Sequence, residues 1–208
     1  MKTDPKPSPV RERLLATADA LFYAEGIRAV GIDRVINDSQ VSRSTMYVHF
    51  RTKEDLVAAY LRRRTDTWRA HVEAQVHARA DDPAGRVLAL FDVFHEQLSD
   101  PAYRGCPFVN AAAEYPRHEG IQAVIAYHRQ WLPDLFGRLL EPPPADDALI
   151  AALVQLCDGA ITTAHLDRDT RAAATARSTA ALLLTAHGQG SAGDGGKGAP
   201  ARGGLPGG

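Results

Sequence analysis

The stretch Val41-Ser42-Arg43-Ser44-Thr45-Met46-Tyr47-Val48-His49-Phe50 restricts the chain more than any other. Wound as a helix at about 100° per residue, it places Met46 and Phe50 on one apolar face. Ser44, Thr45 and Val48 fall on the opposite arc, with Tyr47 and His49 on its shoulders. That arc holds hydroxyl, imidazole and guanidinium donors that folding does not require. It suits a grooved polyanion, of which duplex DNA is the usual example. The segment before it supplies a partner: Ile32, Val35 and Ile36 repeat at helical spacing behind Gly31, and Ser39-Gln40 breaks the pattern. Ser42 then caps the next helix. Helix, three-residue turn, helix is the helix-turn-helix layout. Thr52 and Asp55 form an S/T-x-x-D/E capping box ahead of Leu56-Val57, opening a further helix.

From Val41 to Leu56 the sequence resembles the recognition-helix signature of the tetracycline-repressor (TetR) family, and the resemblance extends from about Arg11 to Tyr60. Beyond Tyr60 it rests on length, helicity and the run Gly105-Cys106-Pro107-Phe108-Val109-Asn110. It implies a homodimeric, all-helical repressor whose larger domain binds a small effector. Two positions depart from the family pattern. Gln40 stands where a glycine usually serves a turn that needs positive φ, and Gly31 stands where Ser or Thr usually caps.

The fold expected is all-α: an N-terminal three-helix head with a helix-turn-helix, followed by a helical effector and dimerisation domain. The segments are a disordered arm (1–9), the head (10–55), the body (56–187) and a Gly-rich tail (188–208). The arm carries three prolines; its Lys2 and Lys6 are within reach of a DNA backbone, although a solvated tail is the simpler reading. Val10 to Glu25 is the first helix, with Leu14, Leu15, Ala18, Leu21 and Phe22 as its inward stripe and Gly26 as its stop. Helices are expected over 31–38, 42–50 and Lys53 to about Val76. Asp81-Asp82-Pro83 opens another, carrying Val87 to Leu98. A short Ala-rich helix spans Phe108 to Glu114, and a long one spans Glu119 to Leu140 with Pro133 as a kink. Glu141 to Ala145 is a stiff proline connector to two last helices, about 146–166 and 168–187. From Gly188 onward 10 of 21 residues are glycine, too little apolar surface to order itself.

Charge is uneven along the chain. Residues 1–64 hold 12 Lys/Arg against 8 Asp/Glu, while residues 65–208 hold 12 against 17. A basic front on an acidic body fits docking on phosphates by one end only. No apolar run reaches the ~18 residues of a bilayer span, so no membrane partner is expected. The start has no signal-peptide core, and the expected location is cytoplasmic. Cys106 and Cys157 form no metal-spaced pair; they are expected as reduced thiols, and no metal or cofactor is implied.

The DNA contacts expected are Arg43, Ser44, Thr45, Tyr47, His49 and Lys53. Arg43 offers the planar fork that matches guanine O6 and N7, and the Thr45 methyl suits thymine. Tyr47 and His49 match family positions that hold phosphates. Lys53 is placed to clamp a phosphate together with the helix start it occupies. Each has a plainer alternative: solvation for Arg43, packing on the first helix for Tyr47, an internal hydrogen bond for His49. The run Arg62-Arg63-Arg64 reads more simply as a solvated face. Trp68, Phe91, Phe94, Phe108, Tyr127 and Trp131 lie on helices able to surround a cavity, with His95, Asn110 and His128 as polar groups. Such a set suits an apolar or aromatic effector, or simply fills a core. The partners implied are a palindromic operator in double-stranded DNA and a second copy of the chain. That copy would join through the helices at about 146–166 and 168–187, which could otherwise form an intramolecular hairpin. An effector-independent architectural protein is one rival. A small helical enzyme using Cys106 is another, although no phosphate loop, nucleophile elbow or metal-spaced His/Glu set is present.

Overall fold

A computed structural model describes residues 8–141 and 146–193. Every regular element among them is a helix: α1 Pro9–Glu25, α2 Ile32–Ser39, α3 Arg43–His49, α4 Lys53–Arg79, α5 Pro83–Leu98, α6 Pro107–Glu114, α7 Glu119–Leu139, α8 Asp147–Leu166 and α9 Ala172–Gly193.

Local chemistry sets most boundaries. Ser42 accepts from the Thr45 amide, and Thr52 and Asp55 cap reciprocally at the start of α4. Asp82 accepts from Gly85 N and Asp146 from Ala148 N. Gln40 ends α2 in the left-handed region, φ 54° and ψ 38°, with its N–H turned back to α2 carbonyls. The turn therefore keeps the geometry a glycine would supply, at the cost of a Cβ in that region. Gly31 caps α2 without a side-chain bond.

Several limits differ from expectation. α4 runs one turn further, to Arg79, and α7 continues helical through Pro133. α9 begins at Ala172 rather than 168, because Arg168 turns left-handed (φ 57°) and the Asp169 carboxylate binds the Arg171 amide. It then continues to Gly193, beyond the expected stop at 188. A glycine costs a propagating helix about 1 kcal/mol but does not remove its hydrogen bond, so Gly188 is no barrier of the kind proline makes. The expected arm up to residue 7, the connector at 142–145 and the tail from 194 lie outside the described residues.

Two apolar cores form. The first joins α1–α3 to Leu56, Val57, Tyr60 and Leu61 of α4, with Phe22 and Tyr60 edge to face at 5.6 Å. Phe108 and Ala111 of α6 and Ile121 of α7 complete it. The head core thus extends two turns into α4 past residue 55 and borrows side chains from the body. The second core is built by the rest of α4 with α5, α7, α8 and α9. α8 is the described helix long and apolar enough to cross a membrane. Leu149, Leu153, Val154, Cys157, Ala160 and Ala164 commit one face of it to this bundle.

Polar ties join head to body. The Glu114 carboxylate accepts from the Ile27 and Arg28 amides at 3.2 and 2.5 Å. The Tyr23 hydroxyl donates to Gly105 O and accepts from Arg104 N. Arg64 of α4 pairs with Asp19 of α1.

Candidate nucleic-acid interface and ligand cavity

Val41, Met46 and Phe50 are buried, which fixes how α3 sits on the head. Ser42, Arg43, Ser44, Tyr47 and Val48 are exposed, and Thr45 and His49 are half-buried. The hydroxyls of Ser44 and Thr45 lie 3.0 and 2.7 Å from that of Ser42, forming a small polar cluster at the leading turn. Arg43 Nη2 lies 2.5 Å from Asp33 Oδ1 of α2, an ion pair in which both side chains are about 60% exposed. Val48 is 81% exposed, an aliphatic group with nothing on it. It belongs to the outward arc that the helical spacing marks. The Asp33 pairing was not legible from spacing, since it spans two helices.

Lys53 sits beyond this face at the start of α4. Its ammonium lies 5.9 Å from the centroid of the Phe22 ring, and partial burial lowers its pKa. The α4 start adds free backbone N–H groups beside it.

A cavity of about 790 Å³ opens between α1, α4, α5, α6, α7 and α8. Trp68, Phe94, Phe108 and Trp131 of the expected set line it, as does His128. Phe91 and Tyr127 do not. Phe91 is wholly buried in the second core, because α5 is packed on several sides at once. Tyr127 lies on the outer surface, where Arg62 stacks on its ring at 3.9 Å and Arg69 donates to its hydroxyl at 2.8 Å. His95 and Asn110 are exposed and away from the cavity. Tyr103, Arg63, and the ion pair of Arg129 with Asp158 line it as well, at positions that carried no helical-period signal.

His128 stacks flat on Phe108, with centroids 3.4 Å apart and planes 7° from parallel. The Thr65 hydroxyl donates to Leu61 O, so its contact with His128 Nδ1 at 3.3 Å requires the imidazole to donate. Burial, aided by the charge of Arg129, pushes His128 down to about 4. Its ring is neutral at neutral pH. Cys106 also lines the cavity, and burial raises its thiol. Cys106 and Cys157 are both free. Among the described residues no cluster of His, Cys, Asp and Glu could hold a metal ion.

Known proteins match both halves of this arrangement. The family described as "Bacterial regulatory proteins, tetR family" matches residues 14–60, the stretch that makes most of the head core. A TetR-family transcriptional regulator of Streptomyces coelicolor is 38% identical, covering 86% of this chain and 90% of that one, with a TM-score of 0.73. The chain belongs to the TetR family. A TetR-type regulator of Streptomyces avermitilis is 27% identical over 86% of this chain and 98% of that one, TM-score 0.73. The transcriptional repressor NemR of Escherichia coli is 25% identical over 105 residues, 50% of this chain and 53% of that protein. The matched region therefore spans about half the length of that relative. The reduced form of NemR shares the TetR fold at a TM-score of 0.75 and 21% identity. This TetR-family chain is thus a transcriptional regulator by membership, with a head and a cavity of its own composition.

Proposed function

We propose that this TetR-family regulator acts as a homodimer that binds a palindromic operator and is released when a small molecule enters the cavity. The observation carrying this reading is the outer face of α3. Its polar and aliphatic side chains are exposed, while Met46 and Phe50 anchor it to a packed head. Such a face enters a major groove with its leading turn, where Arg43 reads guanine and Val48 or the Thr45 methyl reads thymine. Ser44, Tyr47, His49 and Lys53 hold phosphate, assisted by the α4 N-terminus.

Dimerisation through α8 and α9 is supported by their exposed Leu166 and Leu182 and by the exposed small residues Gly159 and Ala174 on the same two helices. A two-fold operator needs a two-fold protein. Release is supported by shared parts. Phe108 belongs to the head core and also walls the cavity, and the Asp19–Arg64 pair between α1 and α4 lines it too. A ligand there acts only through unequal affinity for DNA-competent and DNA-incompetent dimers.

The test is selection of bound duplexes from a random pool, followed by titrations at several salt concentrations. A two-fold symmetric motif is expected. Arg43→Ala should relax base preference at one position per half-site. Lys53→Ala should weaken all sequences alike and reduce the salt slope by about one. Protein that ignores every duplex at low ionic strength would end the proposal.

A further inference from the structure

His128 brings to the cavity one hydrogen-bonding atom that the protein itself leaves unused. The Thr65 hydroxyl is spent on Leu61 O, so the imidazole donates to it through Nδ1. A neutral imidazole carries one N–H, and Nε2 is therefore the bare acceptor nitrogen. Burial keeps the ring in that neutral form. Phe108 fixes its plane by flat stacking, with centroids 3.4 Å apart. Nε2 has no hydrogen-bond partner among the described residues and, unlike Trp131 Nε1, is not sealed from solvent. The ring lines the cavity, so this lone pair is open to a molecule that enters.

The arginines and carboxylates of the wall already have partners. Arg129 gives Asp158 two hydrogen bonds, at 2.6 and 2.9 Å, and Arg64 is paired with Asp19. Arg63 stands 3.8 Å from Glu12, which lies outside the wall. An ion of either sign would shed water there with no opposite charge held ready for it, which is costly. Much of the remaining wall is aromatic. Trp68 and Phe94 meet edge to face at 5.6 Å, and the Trp131 ring lies 6.3 Å from that of His128. A volume of about 790 Å³ admits a drug-sized molecule rather than a single ring. An imidazole nitrogen that accepts pairs best with a neutral but acidic donor, and on an aromatic molecule that donor is a phenol O–H.

We infer that the cavity takes an uncharged, multi-ring phenol, its O–H donating to Nε2 of His128 and its rings lying among Trp68, Phe94 and Trp131. This rests on the cavity being the effector site proposed above.

The experiment uses intrinsic fluorescence, because the chain has two tryptophans and both line the cavity. Full-length protein is titrated, without DNA, with 4-phenylphenol, its methyl ether, biphenyl-4-carboxylate and 4-phenylbenzylammonium. The phenol should bind about fivefold more tightly than the ether, the range one hydrogen bond supports, and at least about tenfold more tightly than either ion. His128→Phe, which keeps a ring on Phe108 and is checked for folding by circular dichroism, should bring phenol and ether to within about twofold. Thr65→Val removes the acceptor that holds the proton on Nδ1. The proton then moves to Nε2, and the phenol should lose its advantage although the imidazole remains. Equal affinity for phenol and ether in the wild type, tighter binding of either ion, a phenol preference that survives either substitution, or no quenching by any of the four overturns the inference. Operator binding is measured separately by gel shift. Protein that binds operator yet shows no preference for the phenol therefore refutes the ligand class alone, while failure to bind any operator strikes the regulator reading.

Discussion

Removing the titratable ring of His128 should flatten the acid limb of the stability curve. The folded protein holds this imidazole neutral down to about pH 4, against an ordinary value of 6.5. Burial is the main cause and the neighbouring Arg129 charge the second. The unfolded chain takes up the proton near 6.5, so between 6.5 and 4 unfolding binds a proton that the native state refuses. Stability from this group is therefore intact above pH 6.5, declines as pH falls through the window, and is fully lost near 4. At about 1.4 kcal/mol per pKa unit, the whole shift corresponds to roughly 3 kcal/mol, and about 2 kcal/mol of it falls between pH 7 and 5. That is a large share of a marginal stability of about 5–15 kcal/mol. Urea unfolding followed by far-ultraviolet circular dichroism at pH 7, 6 and 5 measures it, comparing wild type with His128→Gln. The variant loses the stack on Phe108 at every pH, so only the difference in slope is diagnostic. Because Thr65 keeps its bond to Leu61 O, the substitution leaves that hydroxyl satisfied. Parallel pH dependences for the two proteins would show that His128 titrates normally, and the account of its burial would be wrong.

Three further outcomes are expected. Asp33→Ala should tighten DNA binding by up to about fivefold, since it frees Arg43 from an exposed pair worth no more than ~1 kcal/mol; the gain should vanish on an Arg43→Ala background, and its persistence in fluorescence-anisotropy titrations would assign it to general charge repulsion. Gln40→Gly should raise stability by up to about 1 kcal/mol, because it removes a Cβ from a left-handed residue; a lower thermal midpoint in calorimetry would mean the side chain contributes more than the strain costs. Glu114→Gln should loosen the tie between α6 and the Ile27–Arg28 turn, giving about tenfold faster exchange at those two amides by hydrogen–deuterium mass spectrometry; unchanged protection there would show that packing of Phe108 and Ala111 holds the turn without the carboxylate.

What was legible in the sequence follows from the range of the interactions. Ser42 to Thr45 and Thr52 to Asp55 are three residues apart, so their caps are written in consecutive letters. The inward stripe of α1 and the Met46–Phe50 face of α3 are equally local, and with them the head could be read with its outward arc. Gln40 shows the limit of even that rule. A glycine preference worth about 1 kcal/mol yields to a turn held by burial of Val41 and by backbone bonds to Ile36 and Asn37.

The cavity is a different kind of object, because no helix owns it. Phe91 and Phe94 both follow the apolar period of α5, and nothing in their spacing says that one faces the cavity and the other the bundle. α5 packs against α4, α7, α8 and α9, so its period marks burial and not direction. Tyr127 and Trp131 are four apart on α7, yet one lies outside under Arg62 and the other walls the cavity, since the edge of the bundle passes between them. The ion pairs of the wall are further out of reach of sequence. The Arg129–Asp158 and Arg64–Asp19 pairs join helices far apart in the chain, so residue spacing does not announce them. Residue type indicated that an aromatic cavity could exist. The same wall holds three arginines and two aspartates, and only the fold shows that Arg129 takes Asp158, Arg64 takes Asp19, and Arg63 stands 3.8 Å from Glu12 of α1.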